Sequence, residues 1–135
     1  MNDLILRLTA PGMPVSNTPV YEVILPTTTG KIGIAKDHAF LKSTLDVGVL
    51  LSKVTEKDKW TPLVVFGGVF SVSKNEINVF PGRTEEVSKE KADDYKKQFN
   101  QATQDLFDAN TTKEKLIAVQ RLRRANARLE AVGYL

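Results

Sequence analysis

The position of its helix-breaking residues constrains this chain more than any other feature of the sequence. All six prolines and seven of the eight glycines lie at or before Gly82, and only Gly133 follows. Proline and glycine are common in turns and at strand ends, but they interrupt helices. The chain should therefore change from strands to helices near Pro81, and we divide it into residues 1–83 and residues 84–135.

The first part has the pattern of an all-β unit. In the run DLILRL at residues 3–8, leucines alternate with other side chains, as in a half-buried strand. The adjacent Gly67 and Gly68 lie inside a later run and indicate a bulge or a close backbone approach. Turn residues separate short apolar runs roughly every eight to twelve positions, which is typical of a β-sandwich or barrel. The other predicted strands are residues 19–26, 30–35, 45–54, 60–68, 69–73 and 76–80.

The second part has the period of two helices. Ser88 is the predicted N-cap of the first helix. Thr111 with Glu114 forms a capping-box pattern that begins the second helix, and Gly133 is its predicted stop. Each helix carries one narrow apolar stripe. The stripes are Ala92, Tyr95, Phe99, Ala102 and Leu106 in the first helix, and Ala118, Leu122, Ala125, Leu129 and Val132 in the second.

These elements predict an α+β protein. An N-terminal antiparallel β-sandwich at residues 1–83 is followed by a C-terminal antiparallel two-helix hairpin at residues 84–135. Both stripes are rich in alanine, so the hairpin has little apolar area to bury at about 25 cal/mol per Å². We expect it to dock weakly on the sandwich and to be a movable element.

Charge is distributed unevenly between the two helices. Residues 84–110 carry 4 basic and 7 acidic side chains, whereas residues 111–135 carry 6 basic and 2 acidic ones. An acidic helix followed by a basic one predicts mutual attraction. The basic side chains of the second helix include a cluster of four arginines beside its apolar stripe. These are Arg121, Arg124 and Arg128 along one edge of the stripe, and Arg123 on the other side.

Three interpretations of the arginine cluster compete. The arginines could form ion pairs with acids of the first helix such as Asp93, Asp94 and Asp105. They could contact the phosphates of a nucleic acid, although the rest of the chain offers no clear basic face or stacking aromatics. They could dock onto an acidic protein surface, where arginine supplies forked hydrogen bonds. The residues alone leave the first and third interpretations open.

The composition excludes several kinds of chemistry. The chain has no cysteine and a single histidine, His38, so it cannot build a disulfide, a thiolate site or a multi-histidine metal site by itself. It also lacks a phosphate-binding loop and a nucleophile elbow. We therefore expect no catalytic residue, no metal and no cofactor. No run approaches the ~20 apolar residues of a membrane span, and the N-terminus lacks a signal-peptide pattern.

Three runs in the right order resemble the epsilon subunits of F-type ATP synthases over essentially the full length. They are GKIGIAKDHAFLKSTLDVGVL at 30–50, GGVFSVSKNEINVF at 67–80, and the arginine-rich LRRANARLEAV at 122–132. The third resembles the plastid and cyanobacterial branch most closely. The resemblance implies a non-catalytic central-stalk (rotor) subunit of a proton-translocating ATP synthase.

The resemblance also implies partners. The sandwich would bind the gamma subunit and the ring of c subunits. The hairpin would permit turnover when folded on the sandwich. Extended along gamma, it would present its arginines to acidic segments of the catalytic alpha and beta subunits and restrain ATP hydrolysis. The implied gamma and c-ring contacts are Gly30, Lys31, His38, Ala39 and Leu41, and the implied regulatory contacts are Arg121, Arg123, Arg124 and Arg128.

His38 and Lys31 are the two polar side chains among the implied gamma and c-ring contacts. His38 has no nucleophile or paired carboxylate beside it, so we interpret it as a loop histidine satisfied by local hydrogen bonds. Lys31 stands where relatives often carry a polar or acidic residue, which reverses the charge available for a c-ring contact.

Some bacterial relatives bind ATP through an [IL]-D-x-x-R-A motif that opens the first helix, aided by arginines of the second. Here the aligned run VSKEKA at residues 87–92 places Ser88 where aspartate is expected and Lys91 where arginine is expected. Lysine is a poor replacement for a forked guanidinium contact. Nucleotide binding by Lys91 and Arg121 is therefore disfavoured.

The alternative function is a stand-alone β-sandwich adaptor or a nucleic-acid-binding module that uses the last helix. The leading hypothesis expects no nucleic acid and only a peripheral association with an energy-coupling membrane, through the complex. That membrane would be the thylakoid, with the subunit on the stromal face, or a bacterial plasma membrane, with the subunit on the cytoplasmic face.

Overall fold

The computed structural model describes residues 4–135, so Asp3 of the first predicted strand lies outside the described residues. Eight strands are followed by two helices, with a 3-10 turn at Lys89–Lys91 before the first helix. The strands are β1 (Leu4–Leu8), β2 (Ser16–Val20), β3 (Glu22–Thr27), β4 (Gly30–Ala35), β5 (Leu41–Lys53), β6 (Thr61–Ser73), β7 (Glu76–Pro81) and β8 (Thr84–Glu85), and the helices are α1 (Ala92–Asp108) and α2 (Thr112–Val132).

The strands form one hydrogen-bonded path in the order β2-β1-β7-β6-β5-β3-β4, and β8 pairs with β6. All pairs are antiparallel except β1 with β7. Leu4 of β1 shares one buried cluster with Ile34 of β4, at the other end of the path, so the sheet folds over on itself. The predicted order of an antiparallel sandwich and then a helical hairpin is confirmed. The short β8 lies just beyond residue 83, where the sequence was divided.

The long strands β5 and β6 pair along almost their whole length and link the two layers. In β6, both Val65 and Phe70 face the sandwich core although four residues, an even number, lie between them. The regular alternation must therefore slip between them. It slips at Gly67 and Gly68, whose φ angles are +73° and +124°. A Cβ on Gly68 would lie 2.3 Å from the carbonyl oxygen of Phe80, so the predicted close backbone approach is confirmed.

The helix ends match the sequence prediction in one helix only. Thr111 caps α2, because its Oγ1 accepts a hydrogen bond from the backbone N–H of Glu114 at 3.1 Å. The helix ends at Val132, as Gly133 predicted. The prediction for Ser88 was wrong, because its side chain makes no capping hydrogen bond. Ser88 precedes only the 3-10 turn, and α1 begins later, at Ala92.

The hairpin packs through the predicted stripes. Tyr95 and Ala102 of α1 are buried, as are Ala118 and Ala125 of α2. Helix α2 also contacts β5 and β6, so it lies between α1 and the sheet. The molecule is thus layered as sandwich, α2 and α1, and α2 is the helix that packs against β5 and β6.

Candidate functional site

The contact between α2 and the sandwich, which we call the docking interface, has an apolar centre. Ala127 and Ala131 of α2 are buried against Val49, Leu51 and Val64. Alanine has a short side chain, so the helix backbone approaches the sheet closely. The side chains at the margin are Ile24, Val47, Trp60, Phe66, Val87 and Tyr134.

This second buried face of α2 was missed by the sequence analysis. At 100° per residue, Ala127 and Ala131 lie roughly opposite the stripe that faces α1. The helix therefore buries two faces, although its apolar pattern predicts only one narrow stripe. The available signal was the alanine pair four residues apart within a charged segment.

Arg128 forms the strongest polar contact of the docking interface. Its Nε and Nη2 donate to the two carboxylate oxygens of Glu85, at 2.9 and 3.1 Å, and its Nη1 donates to Gln98 Oε1 at 3.3 Å. The guanidinium lies 5.7 Å from the ring centre of Phe66, and the Arg128 side chain is only 20% exposed. A forked, partly desolvated pair of this kind contributes about 1.5–3 kcal/mol to docking.

Two more ion pairs join α2 to the sandwich. Arg123 Nη2 lies 2.7 Å from Asp46 Oδ2, and Lys31 Nζ lies 2.6 Å from Glu130 Oε1. Both pairs are more exposed than the Arg128 pair, so each contributes roughly 0.2–1 kcal/mol. The hydrogen bond to Glu130 raises the pKa of Lys31, and this outweighs the lowering by partial burial.

The ion pairs of the arginine cluster therefore run to the sandwich rather than to the first helix. Within residues 4–135, no cluster arginine forms an ion pair with Asp93, Asp94 or Asp105, so that interpretation was wrong. No local pattern identified Asp46 and Glu85 as the partners. They lie 77 and 43 residues away from Arg123 and Arg128.

Two of the four arginines make no ion pair within the described part of the chain. Arg124 lies with its guanidinium carbon 5.7 Å from the ring centre of Phe66. Arg121 lines an open cavity of about 510 Å³ between the helices, together with Lys97 and Asp105. The docked hairpin thus uses Arg123 and Arg128 and leaves Arg121 exposed.

The residues predicted to bind gamma and the c ring lie in two places. Gly30, Lys31 and Leu41 line one small cavity of about 220 Å³. His38 and Ala39 do not line it and lie in the loop between β4 and β5. His38 Nδ1 is 2.7 Å from the carbonyl oxygen of Ala39, which confirms the local hydrogen bond expected for this side chain.

The structure adds exposed apolar side chains that the sequence analysis did not single out. Leu41 packs against the sandwich core, whereas the preceding Phe40 is 67% exposed. On the outer sheet face, Val69 of β6 and Phe80 of β7 are cross-strand partners that are 51% and 46% exposed. Lys42 lines a cavity of about 530 Å³ with them. Val69 faces outward because of the slip of alternation in β6, and Phe80 faces outward because it alternates with the buried Val79 in β7.

Lys91 and Arg121, the two residues considered for nucleotide binding, line different cavities. Lys91 borders a cavity of about 590 Å³ whose arginines are Arg83 and Arg128, while Arg121 borders the cavity between the helices. The cavity beside Lys91 also contains three carboxylates, and one of them, Glu85, already holds Arg128. This arrangement does not bring Lys91 and Arg121 to a common ligand.

Neither α1 nor α2 is long and apolar enough to cross a membrane.

Comparison with known proteins gives consistent similarities. The family model described as ATP synthase, Delta/Epsilon chain, beta-sandwich domain matches residues 3–87. An ATP synthase epsilon chain of Synechococcus elongatus is 39% identical over 134 residues, which cover 98% of this chain and 96% of the relative. The chloroplastic ATP synthase epsilon chain of Guillardia theta is 38% identical over 128 residues, with 95% and 96% covered.

Solved structures show the same fold at low sequence identity. A chain in the OSCP/F1/c-ring structure of the Euglena gracilis mitochondrial ATP synthase superposes with a TM-score of 0.77 at 21% identity, covering 95% of this chain and 79% of that one. A chain in the central stalk/c-ring structure of the Tetrahymena thermophila mitochondrial ATP synthase gives a TM-score of 0.63 at 15% identity, with 97% of both chains covered.

Proposed function

This chain belongs to the family of ATP synthase epsilon chains, whose members are non-catalytic subunits of that complex, and we propose that it is a central-stalk subunit with a regulatory hairpin. In this proposal the sandwich joins the gamma subunit to the c ring, and the hairpin restrains ATP hydrolysis when it leaves the sandwich. Family membership supports this function rather than a stand-alone adaptor or a nucleic-acid-binding module.

The observation that carries the hairpin proposal is the composition of the docking interface. Helix α2 is held on the sandwich by a small alanine-centred contact and three ion pairs, of which two are exposed. Such a contact is strong enough to populate a docked state and weak enough to open, since exposed pairs contribute little each. Within the arginine cluster, Arg121 is already exposed and suited to forked hydrogen bonds with carboxylates of the catalytic alpha and beta subunits.

The sandwich offers two surfaces for the remaining partners. We assign the outer face around Val69 and Phe80 to the gamma subunit, because an exposed apolar cross-strand pair is unusual on a solvated sheet face. We assign the loop that carries His38, Ala39 and Phe40 to the c ring, together with Gly30 and Lys31. The two structural neighbours are chains of an F1/c-ring assembly and of a central stalk/c-ring assembly, which supports partners of this kind for the chain.

The same proposal locates the subunit peripherally at an energy-coupling membrane, through its complex. The relatives named above are a chloroplastic and a cyanobacterial chain. The stromal face of a thylakoid and the cytoplasmic face of a bacterial membrane are the two corresponding positions.

The hairpin proposal is tested by fixing the docked state with a cross-link. The chain has no cysteine, so two can be introduced without background reaction. The double variant K31C/E130C replaces two side chains that meet at 2.6 Å between Nζ and Oε1, and a short bis-maleimide would bridge the thiols. In an F1 complex without the c ring, we expect the cross-linked subunit to raise ATP hydrolysis to the level reached when residues 88–135 are deleted.

Each single-cysteine variant serves as the control, and treatment with the same reagent should leave its hydrolysis at the level of the untreated variant. If the cross-linked subunit inhibits as strongly as the uncross-linked one, the extended hairpin is not the inhibitor. The role of the sandwich in joining gamma to the c ring would be unaffected by that result.

A further inference from the structure

We propose that the hairpin is released by an exchange of acidic partners. In the docked state, Arg123 and Arg128 pair with Asp46 and Glu85 of the sandwich. In the extended state, the same arginines pair with carboxylates of an external acidic surface. This inference rests on the regulatory function proposed above and names the contacts that set its balance. The external partner is a protein surface with carboxylates spaced to accept both Arg123 and Arg128.

The first observation is the placement of the two pairs. Arg123 and Arg128 lie on opposite sides of the buried face centred on Ala127, so they hold α2 from both edges. Each reaches a carboxylate of the sandwich rather than of the neighbouring helix. Asp46 lies in the middle of β5, and Glu85 lies in β8, so both acids are positioned by the sheet and not by the hairpin.

The second observation is that both acids are held in position for this contact. Asp46 Oδ1 accepts the backbone N–H of Val47 at 2.8 Å, which leaves Oδ2 for Arg123. Glu85 uses both of its oxygens on Arg128. The two carboxylates therefore have the geometry that an external acidic partner would have to reproduce.

The energetics favour exchange over simple release. Release without a new partner would leave two guanidiniums and two carboxylates unpaired, and the guanidinium of Arg128 would also lose its place beside Phe66. When an external carboxylate takes over the fork, the charge-assisted bonds lost on the sandwich are regained on the partner. Among residues 4–135, Arg121 forms no ion pair that would be lost on release, so it contributes only to the extended state and favours exchange toward the partner.

The inference is tested first in the isolated subunit. The variant D46N/E85Q keeps the size of both side chains and removes both internal acids. Trp60 is the single tryptophan and lies in the cluster with Ala127 and Ala131, so its emission reports docking. We expect the ratio of docked to released hairpin to fall at least tenfold, and hydrogen exchange in α2 to rise in parallel.

The matched control is E56Q/E86Q, which changes the net charge equally. Neither Glu56 nor Glu86 forms an ion pair among residues 4–135, so docking should be unchanged. An unaltered docked population in D46N/E85Q would overturn the exchange, whatever the complex does. Retained binding to the other central-stalk subunits shows that the variant is folded.

The second measurement uses the assembled complex. We expect D46N/E85Q to lower ATP hydrolysis below wild type, because more hairpins are available to the partner. R121Q should raise hydrolysis while leaving docking in the isolated subunit unchanged. If D46N/E85Q releases the hairpin yet hydrolysis does not fall, the proposed inhibitory function is wrong, although Asp46 and Glu85 do hold the hairpin on the sandwich. If R121Q alters docking as well as hydrolysis, the assignment of Arg121 to the extended state is wrong.

Discussion

At the scale of single residues, Gly68 is a position of the sandwich that only glycine can occupy without strain. Its φ of +124° is rare for residues with a side chain, and a Cβ there would meet the carbonyl oxygen of Phe80 at 2.3 Å. Gly30 has almost the same φ, +123°, but nothing lies within 4 Å of its Cβ position. The two glycines therefore separate the conformational cost of a side chain from its steric cost.

We expect Gly30→Ala to lower the free energy of unfolding by about 1–3 kcal/mol, because only the backbone conformation is strained. Gly68→Ala should lower it by clearly more, since β6 and β7 must also move apart. Chemical denaturation of the isolated subunit, followed by far-ultraviolet circular dichroism, measures both. Equal losses in the two variants would show that the close approach to Phe80 is not a constraint.

The residue scale also shows what sequence reasoning can reach. The paired glycines were recognisable because they interrupt a strand pattern locally. The helix arginines were recognisable as a cluster, but their partners Asp46 and Glu85 were not. The folding of the sheet brings those partners to α2, and no spacing between nearby residues in the sequence indicates these contacts.

At the scale of elements, α2 is the helix whose packing contacts were hardest to predict. Its length and cap follow from the capping box at Thr111 and the stop at Gly133. The sheet order and the sandwich that it docks on were predicted only as a class, because strand pairing depends on long-range contacts. The buried pair Ala127 and Ala131 shows why the docking face was hard to predict, because alanine is also common on solvated helix faces.

Enlarging this face should undock the helix. Ala131 is 0% exposed, so we expect Ala131→Leu to disfavour docking by about 1–3 kcal/mol through overpacking. Trp60 packs in the same cluster, so its emission and hydrogen exchange in α2 are the measurements. The control is Gln120→Leu, at an exposed position of the same helix. Unchanged docking in Ala131→Leu would mean that the alanine contact does not determine how closely α2 approaches the sheet.

At the scale of the whole molecule, the pair between Lys31 and Glu130 connects the proposed c-ring end of the sandwich to the end of the hairpin. Lys31 Nζ is 2.6 Å from Glu130 Oε1 in the docked state. An ammonium that pairs with Glu130 is not free to pair with a c-ring loop. Under the proposed c-ring assignment, contact with the c ring and docking of the hairpin compete for this one side chain, and the strength of the pair sets how much docking opposes that contact.

The pair has a defined pH dependence. In the docked state, the hydrogen bond that Lys31 donates to Glu130 raises the pKa of Lys31 above the ordinary lysine value. The stabilisation is therefore fully present at pH values below the pKa of the undocked lysine, and it is lost as the pH rises through the higher docked pKa. Neutral and mildly alkaline solutions should show no change from this group.

A double-mutant cycle of Lys31→Gln and Glu130→Gln isolates the pair. We expect an interaction energy of about 0.2–1 kcal/mol in docking at neutral pH and low salt, which follows from the exposure of the pair. Because the lysine charge disappears at strongly alkaline pH, the interaction energy should fall toward zero there, and high salt should reduce it at any pH. Trp60 emission of the four proteins gives the docked fractions. An interaction energy that is near zero at neutral pH, or unchanged at high pH, would show that a charged pair of Lys31 and Glu130 does not stabilise docking, and the proposed link to the c ring would lose its basis.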